Sequence, residues 1–308
     1  MLAPVLLAAS RSARMRKIVA AAPVTRPVVD RFVAGERLDD AIDVVRELDA
    51  RGLTVTLDHL GEDVTDPSEA LRARDAYLRL AEALHGESLG ARAEMSVKLS
   101  AFGQALAGGH DIALAHITPV VEAAAEANTT VTLDMEDHTT VDSTLAILDV
   151  LRDRFPQTGA VVQSYLFRTE EDCRALATAG SRVRLVKGAY KEPATVAFQD
   201  KRDVDRAYVR CLKILMAGGG YPMVGSHDPR MIAIAQDLAR RFGRKAGEYE
   251  FQMLYGIREA EQERLVAAGQ RVRVYVPYGT DWYGYFMRRL AERPANLAFF
   301  VRSLAGRG

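Results

Sequence analysis

The sequence carries its most suggestive chemistry near its end, in RVRVYVPYGTDWYGYFMRRLAER. Tyr285 stands three residues before Arg288 and four before Arg289, and Arg288 stands four before Glu292. On a helix those spacings make side chains neighbours. Two adjacent guanidiniums, each a planar fork of donors, can clamp a carboxylate. A solvated basic turn would show the same Arg pair, but Trp282, Tyr283 and Tyr285 crowd in just before it. Aromatics beside Arg are a binding composition.

Lys98, in SVKLS, has three readings. It can neutralise a substrate carboxylate, act as a Schiff-base amine if burial lowers its pKa, or simply pair with Asp134. Asp134, Glu136, Asp137 and His138 form a dense cluster, while the six histidines are scattered and show no HExxH. No metal is expected from that pattern. A P-loop, a GxSxG elbow and a kinase signature are missing as well. Cys173 and Cys211 fit neither a CxxC pair nor a zinc knuckle, and two buried reduced thiols are expected.

The 308 residues hold 41 basic and 41 acidic side chains, with 48% hydrophobic and 27% charged residues. Balanced charge argues against a nucleic-acid binder and against disorder. The apolar start, Leu2 to Ala9, is followed rather than preceded by Arg11, Arg14, Arg16 and Lys17, the reverse of a secretory signal. No run approaches the ~20 apolar residues of a membrane span. A cytoplasmic protein is expected, with attachment to a membrane surface left open.

These residues must be positioned by elements, and the elements alternate. Strands are predicted at Thr54–Leu60, Glu94–Ser100, Thr130–Glu136, Ala160–Tyr165, Arg182–Gly188, Pro222–His227, Tyr249–Tyr255 and Arg271–Tyr278. Helices are predicted at Pro67–His85, Asp111–Ala127, Thr140–Arg154, Thr169–Ala179, Asp200–Ala217, Asp228–Phe242, Arg258–Ala268 and Asp281–Arg293. Thr140, Thr169 and Asp228 serve as start signals. Eight βα units imply an α/β fold, a (βα)8 TIM-type barrel of about 250 residues. Residues 1–50 then form an N-terminal helical extension, and residues 51–308 the barrel with a short C-terminal helical tail. An open doubly wound sheet is second choice, because no Gly-rich fingerprint follows a strand.

Alternation sorts the faces. Met95, Val97, Leu133, Val183, Leu185, Phe251, Met253, Val272, Val274 and Val276 should pack outward on helices. Lys98, Asp134, Gln163, Arg184, Gln252 and Arg273 should then face inward. Barrel interiors are usually apolar, and buried charges cost several kcal/mol unless paired or ligand-bound. Either an internal salt-bridge network or a polar site at the strands' C-terminal ends follows. Lys187 has the opposite parity to Arg184, so both reach the interior only if the strand ends or bulges there.

The order of segments is specific. SVKLSAFG, TLDMEDH, VVQSYL, RVRLVKGAYKEP, GSHDP, EFQMLYG, VYVPYG and YFMRRLAER succeed one another as in the proline dehydrogenase family, from about Val55 to Arg302. The chain resembles a monofunctional bacterial member. The resemblance implies a distorted barrel holding FAD non-covalently. It also implies oxidation of L-proline to 1-pyrroline-5-carboxylate, with hydride passing to flavin N5 and electrons then to a membrane quinone.

Carried over by motif, Lys98, Arg288 and Arg289 match carboxylate-binding cations, and Asp134 an acid near the substrate that pairs with arginine. Leu254, Tyr275 and Tyr285 match groups around the proline ring. Gln163 and Arg184 match flavin contacts, Arg184 beside N5. Lys187, Gly188, Ala189, Ser226 and His227 match the region holding the ribityl and phosphate parts. Glu292 matches a glutamate read as an ion-pair partner within the cofactor-binding set. Lys98, Asp134 and Arg184 are the expected catalytic residues. Glu62, Asp63 and Glu69 are candidate partners for Arg288 in closing the site. Lys191 stands where many larger members have Trp, and the stretch from Gly279 to Tyr285 is shorter than in bifunctional enzymes.

Overall fold

The computed structural model describes residues 26–292, the side chains of Pro27 and of 290–292 excepted. The first half of the expected prefix, the C-terminal tail and the side chain of Glu292 therefore lie outside the described residues.

Eight parallel strands close in chain order: β1 Thr54–His59, β2 Ala93–Lys98, β3 Val131–Asp134, β4 Gly159–Gln163, β5 Arg182–Val186, β6 Tyr221–Gly225, β7 Glu250–Leu254 and β8 Val272–Tyr278. β8 pairs with β1 from Arg273 opposite Thr54 to Tyr278 opposite His59, which excludes the open sheet. All strands but β8 stop one or two residues short of the predicted C-terminal limit. There the chain leaves the ladder to turn over the barrel mouth; β2 runs directly into a 3-10 turn, Leu99–Phe102. β5 ends at Val186, so Lys187 belongs to the following loop and strand parity does not bind it.

The predicted faces hold. Met95, Val97, Leu133, Val183, Leu185, Phe251, Met253 and Val274 are buried in the layer between sheet and helices. The inward set is polar and also buried, and includes Thr56, Glu94, Ser96, Arg184, Glu250, Gln252 and Arg273.

The helix Leu38–Ala50 turns Ala41, Ile42, Val45 and Leu48 onto β1 and β8, the one-sided spacing of a core-facing helix. It fills the outer-ring place beside the closing strand pair. The last helix, Trp282–Glu292, packs instead in a separate cluster with Val28, Val29, Phe32, Val33, Leu60 and Ile257. That exchange distorts the barrel. The described part of the prefix is thus a working piece of the ring.

Helix starts follow carboxylates more than threonines. Asp66, Asp200 and Asp228 each accept from the backbone N–H two residues on. Thr140 and Thr169, read as start signals, cap nothing, because their hydroxyls donate to the carbonyls of Asp137 and Gln163. Cys173 and Cys211 are free and buried on neighbouring helices. A hydrogen bond to Cys211, with burial, pushes the Cys173 thiol up.

Candidate active site

Two tiers of charge fill the barrel. In the lower tier Glu94 receives Thr56 Oγ1 at 2.8 Å, Arg182 by a short contact, and Arg184 Nη2 at 3.3 Å. Arg273 Nε lies 3.8 Å from Glu94 and 2.7 Å from Glu250 Oε1. Burial would raise the Glu94 carboxyl, but Arg273, Arg182 and Arg184 outweigh it and hold it well below its usual range.

Arg184 links the tiers. Its Nη1 donates to Asp134 Oδ1 at 2.7 Å and to Ser96 Oγ at 2.9 Å, and its Nε to Gln252. Tyr275 OH donates to Asp134 Oδ2 at 2.8 Å, and the Arg184 guanidinium lies 5.4 Å from the Tyr275 ring centre. Asp134 is therefore fully engaged on its own tier. The Lys98–Asp134 bond, one of the three readings of Lys98, does not form, although β2–β3 register sets the two side by side. The neighbour on the other side, β1, offers Lys98 a different acid, Asp58, at 3.0 and 3.2 Å.

Above them Arg288 Nη1 meets Glu62 Oε1 at 2.7 Å and Nη2 meets Oε2 at 3.3 Å. Of the three candidate acids, Glu62 makes the pair. The Arg289 guanidinium lies 5.1 Å from the Tyr285 ring centre, as the four-residue spacing predicted. A cleft of about 610 Å³ opens between this helix and the β1 loop, and Lys98, Glu62, Tyr285 and Arg288 line it.

The opposite wall carries the residues expected near a cofactor. Gln163 Nε2 donates to the Glu136 carbonyl at 2.7 Å. Lys187 Nζ contacts Asp205 and lies 3.0 Å from Asp228 Oδ2. Ser226 Oγ accepts from the Asp228 N–H at 3.1 Å, and His227 Nε2 accepts from the Leu254 N–H at 2.9 Å. Gly188 has φ +120°, and a Cβ there would fall 2.4 Å from the Tyr165 ring. Ala189 is exposed.

Several participants were missed from sequence. Asp58 and Glu94 alternate inward like Lys98, and parity would have found them had their strands been counted from the first residue; Glu250 does face inward, as its alternation with Phe251 and Met253 requires. Tyr190, directly after the Gly188–Ala189 pair, is 38% exposed and interacts electrostatically with Glu136, Glu62, Asp134 and Arg288. Glu136 is buried and accepts from Ser100 N at 3.1 Å and Ser100 Oγ at 2.6 Å. Among the described residues no three His, Cys, Asp or Glu side chains gather as a metal site needs.

A closed parallel barrel whose strand ends converge on paired cations and acids defines an α/β-barrel enzyme. A family model described as proline dehydrogenase matches residues 41–302, beginning inside the Leu38–Ala50 helix. A curated proline dehydrogenase of Deinococcus radiodurans is 42% identical over 280 residues, covering 90% of each chain. Proline dehydrogenase 1 of Bacillus subtilis is 40% identical, covering 91% of each. Among solved structures, proline utilization A (PutA) from Bdellovibrio bacteriovorus, inactivated by N-propargylglycine, matches with TM-score 0.80 and 27% identity. That match covers 86% of this chain and 32% of the other, so this chain spans about a third of that protein's length. The chain belongs to the proline dehydrogenase family.

Proposed function

We propose that the chain oxidises L-proline to 1-pyrroline-5-carboxylate with non-covalently bound FAD and passes the electrons to a quinone. The observation that carries this reading is that Lys98 and Arg288 line one cleft at the strands' C-terminal ends, with Asp134, bonded to Arg184 and Tyr275, beside Lys98 on the next strand. Proline brings one carboxylate and one amine, and the cations match the carboxylate. Lys98, Arg288 and Arg289 would hold it and so orient the carbon next to nitrogen, an effect able to supply several kcal/mol.

The wall from β4 to β6 suits a flat cofactor ring. Gly225 follows the inward alternation of β6 beside Arg184, and a Cβ there would lie 3.6 Å from Arg184 Cγ and 2.7 Å from Val186. Only a glycine lets β6 lie this close to β5 there, so the wall beside Arg184 carries no side chain from position 225. Lys187, Gly188, Ala189, Ser226 and His227 extend that wall toward where a phosphate tail would run. FAD supplies the acceptor for the two electrons that leave proline. Arg184 would favour the electron-rich reduced form, Tyr275 and Leu254 would pack on the proline ring, and Asp134 would keep Arg184 aimed. Glu292 would join the cofactor-binding residues.

The reading of Lys98 as a Schiff-base amine loses its basis. Burial would lower that amine, but Asp58, Asp134 and Glu62 together hold its pKa above the ordinary lysine value, so it stays a cation. Among the described residues no helix is long and apolar enough to cross a membrane. We place the enzyme in the cytoplasm, meeting the quinone from the inner face of the cell membrane. Anaerobic addition of L-proline to the FAD-loaded protein tests the reading: the flavin absorbance should bleach. Unchanged absorbance on loaded, folded protein overturns it.

A further inference from the structure

We infer that Glu94 sets how readily the bound flavin is reduced, by partly neutralising Arg184 from below. The inference rests on the proposal that a flavin binds beside Arg184.

Glu94 is 1% exposed and sits on β2 four residues below Lys98. Its place is shared by three guanidiniums, those of Arg182, Arg184 and Arg273. Arg184 in turn lies between two acids. Its Nη1 is held by Asp134 at the mouth, its Nη2 by Glu94 in the tier beneath. Asp134 stands where substrate and cofactor meet, whereas Glu94 is shut off from both and acts through Arg184 alone. It is a positioning residue.

The charge reaching the mouth is therefore a balance struck in the buried tier. Little water screens it there, so one charge at hydrogen-bond distance counts for more than at a surface. Removing the Glu94 charge leaves Arg184 more strongly positive and favours the reduced flavin. Removing Arg182, whose guanidinium contacts Glu94 and lies 5.2 Å from the Tyr221 ring centre, has the opposite effect. Glu94 then has one cation fewer and bears more heavily on Arg184.

The test is the midpoint potential of the FAD-loaded full chain, read by equilibration with a reference dye. Glu94→Gln should raise the reduced-to-oxidised ratio at fixed potential at least tenfold, about 30 mV for a two-electron couple. Arg182→Gln should lower it. Mere loosening of the barrel does not give shifts of opposite sign. Shifts of the same sign, or both variants within threefold of wild type, overturn the inference. If Glu94→Gln does not fold, Arg182→Gln decides alone, and an unmoved or raised potential overturns it. A wild-type chain that takes up no FAD overturns the functional reading and this inference together. FAD uptake with unmoved potentials overturns only this one.

Discussion

Lys98 Nζ lies 3.0 Å from Asp58 Oδ2 and 3.2 Å from Oδ1, with the lysine side chain 11% and the aspartate 2% exposed. A lysine buried without an acid would lose its proton. This one keeps it, because Asp58 first, then Asp134 and Glu62, outweigh the burial. Borohydride trapping with an aldehyde should therefore give no adduct at Lys98 in the wild type between pH 7 and 9. Asp58→Asn should let burial pull the amine down and produce a labelled Lys98 peptide by mass spectrometry. Labelling of the wild type to the same extent would remove Lys98 from the cation set.

Glu62 and Arg288 meet through two parallel contacts, and each side chain is 33% exposed. At that exposure the pair contributes little to stability, roughly 0–1 kcal/mol. On the proposed function its larger effect is orientation, since Glu62 on Nη1 and Nη2 fixes the plane of the guanidinium that would meet a substrate carboxylate. Glu62→Gln should raise the proline KM about 3–10-fold, leave kcat within about twofold, and barely move the thermal midpoint. Steady-state kinetics on proline decide it, and an unchanged or lowered KM would count against the orienting role.

Much of this site was legible in the residues. Strand alternation has a period of two, so Val97 and Lys98, or Leu185 and Arg184, separate onto opposite faces from sequence alone. Helical spacing set the Tyr285 ring near Arg289 for the same reason. Partner choice was not legible. Asp58 and Lys98 lie on the paired strands β1 and β2, so Lys98 has an acid on each neighbouring strand, and alternation alone does not say which it takes; Asp134 goes to Arg184, two strands away on β5. Nor did spacing reveal that Leu38–Ala50 takes the ring position the last helix vacates, since both helices carry an apolar stripe. The Thr140 and Thr169 hydroxyls had carbonyl acceptors within reach, which a start-signal pattern does not see.

Glu136 offers the clearest dependence on pH. Burial pushes its carboxyl up to about 7 from a usual 4.5, against the two Ser100 donors and Lys98. Below about 4.5 the folded and unfolded chains both hold the proton, and the full stabilisation is present. Between 4.5 and about 7 the folded chain keeps a proton that the unfolded chain has released, so stability falls as pH rises through that window. Above about 7 the buried carboxylate is charged in both states and the loss is complete. Glu136→Gln stays neutral throughout, and its amide can still accept from Ser100 N and donate to Ser100 Oγ. The variant should therefore gain ~1–3 kcal/mol over wild type on going from pH 5 to pH 8. Urea unfolding at the two pH values measures it directly. If both proteins lose the same stability over that interval, Glu136 does not carry the proton assigned to it.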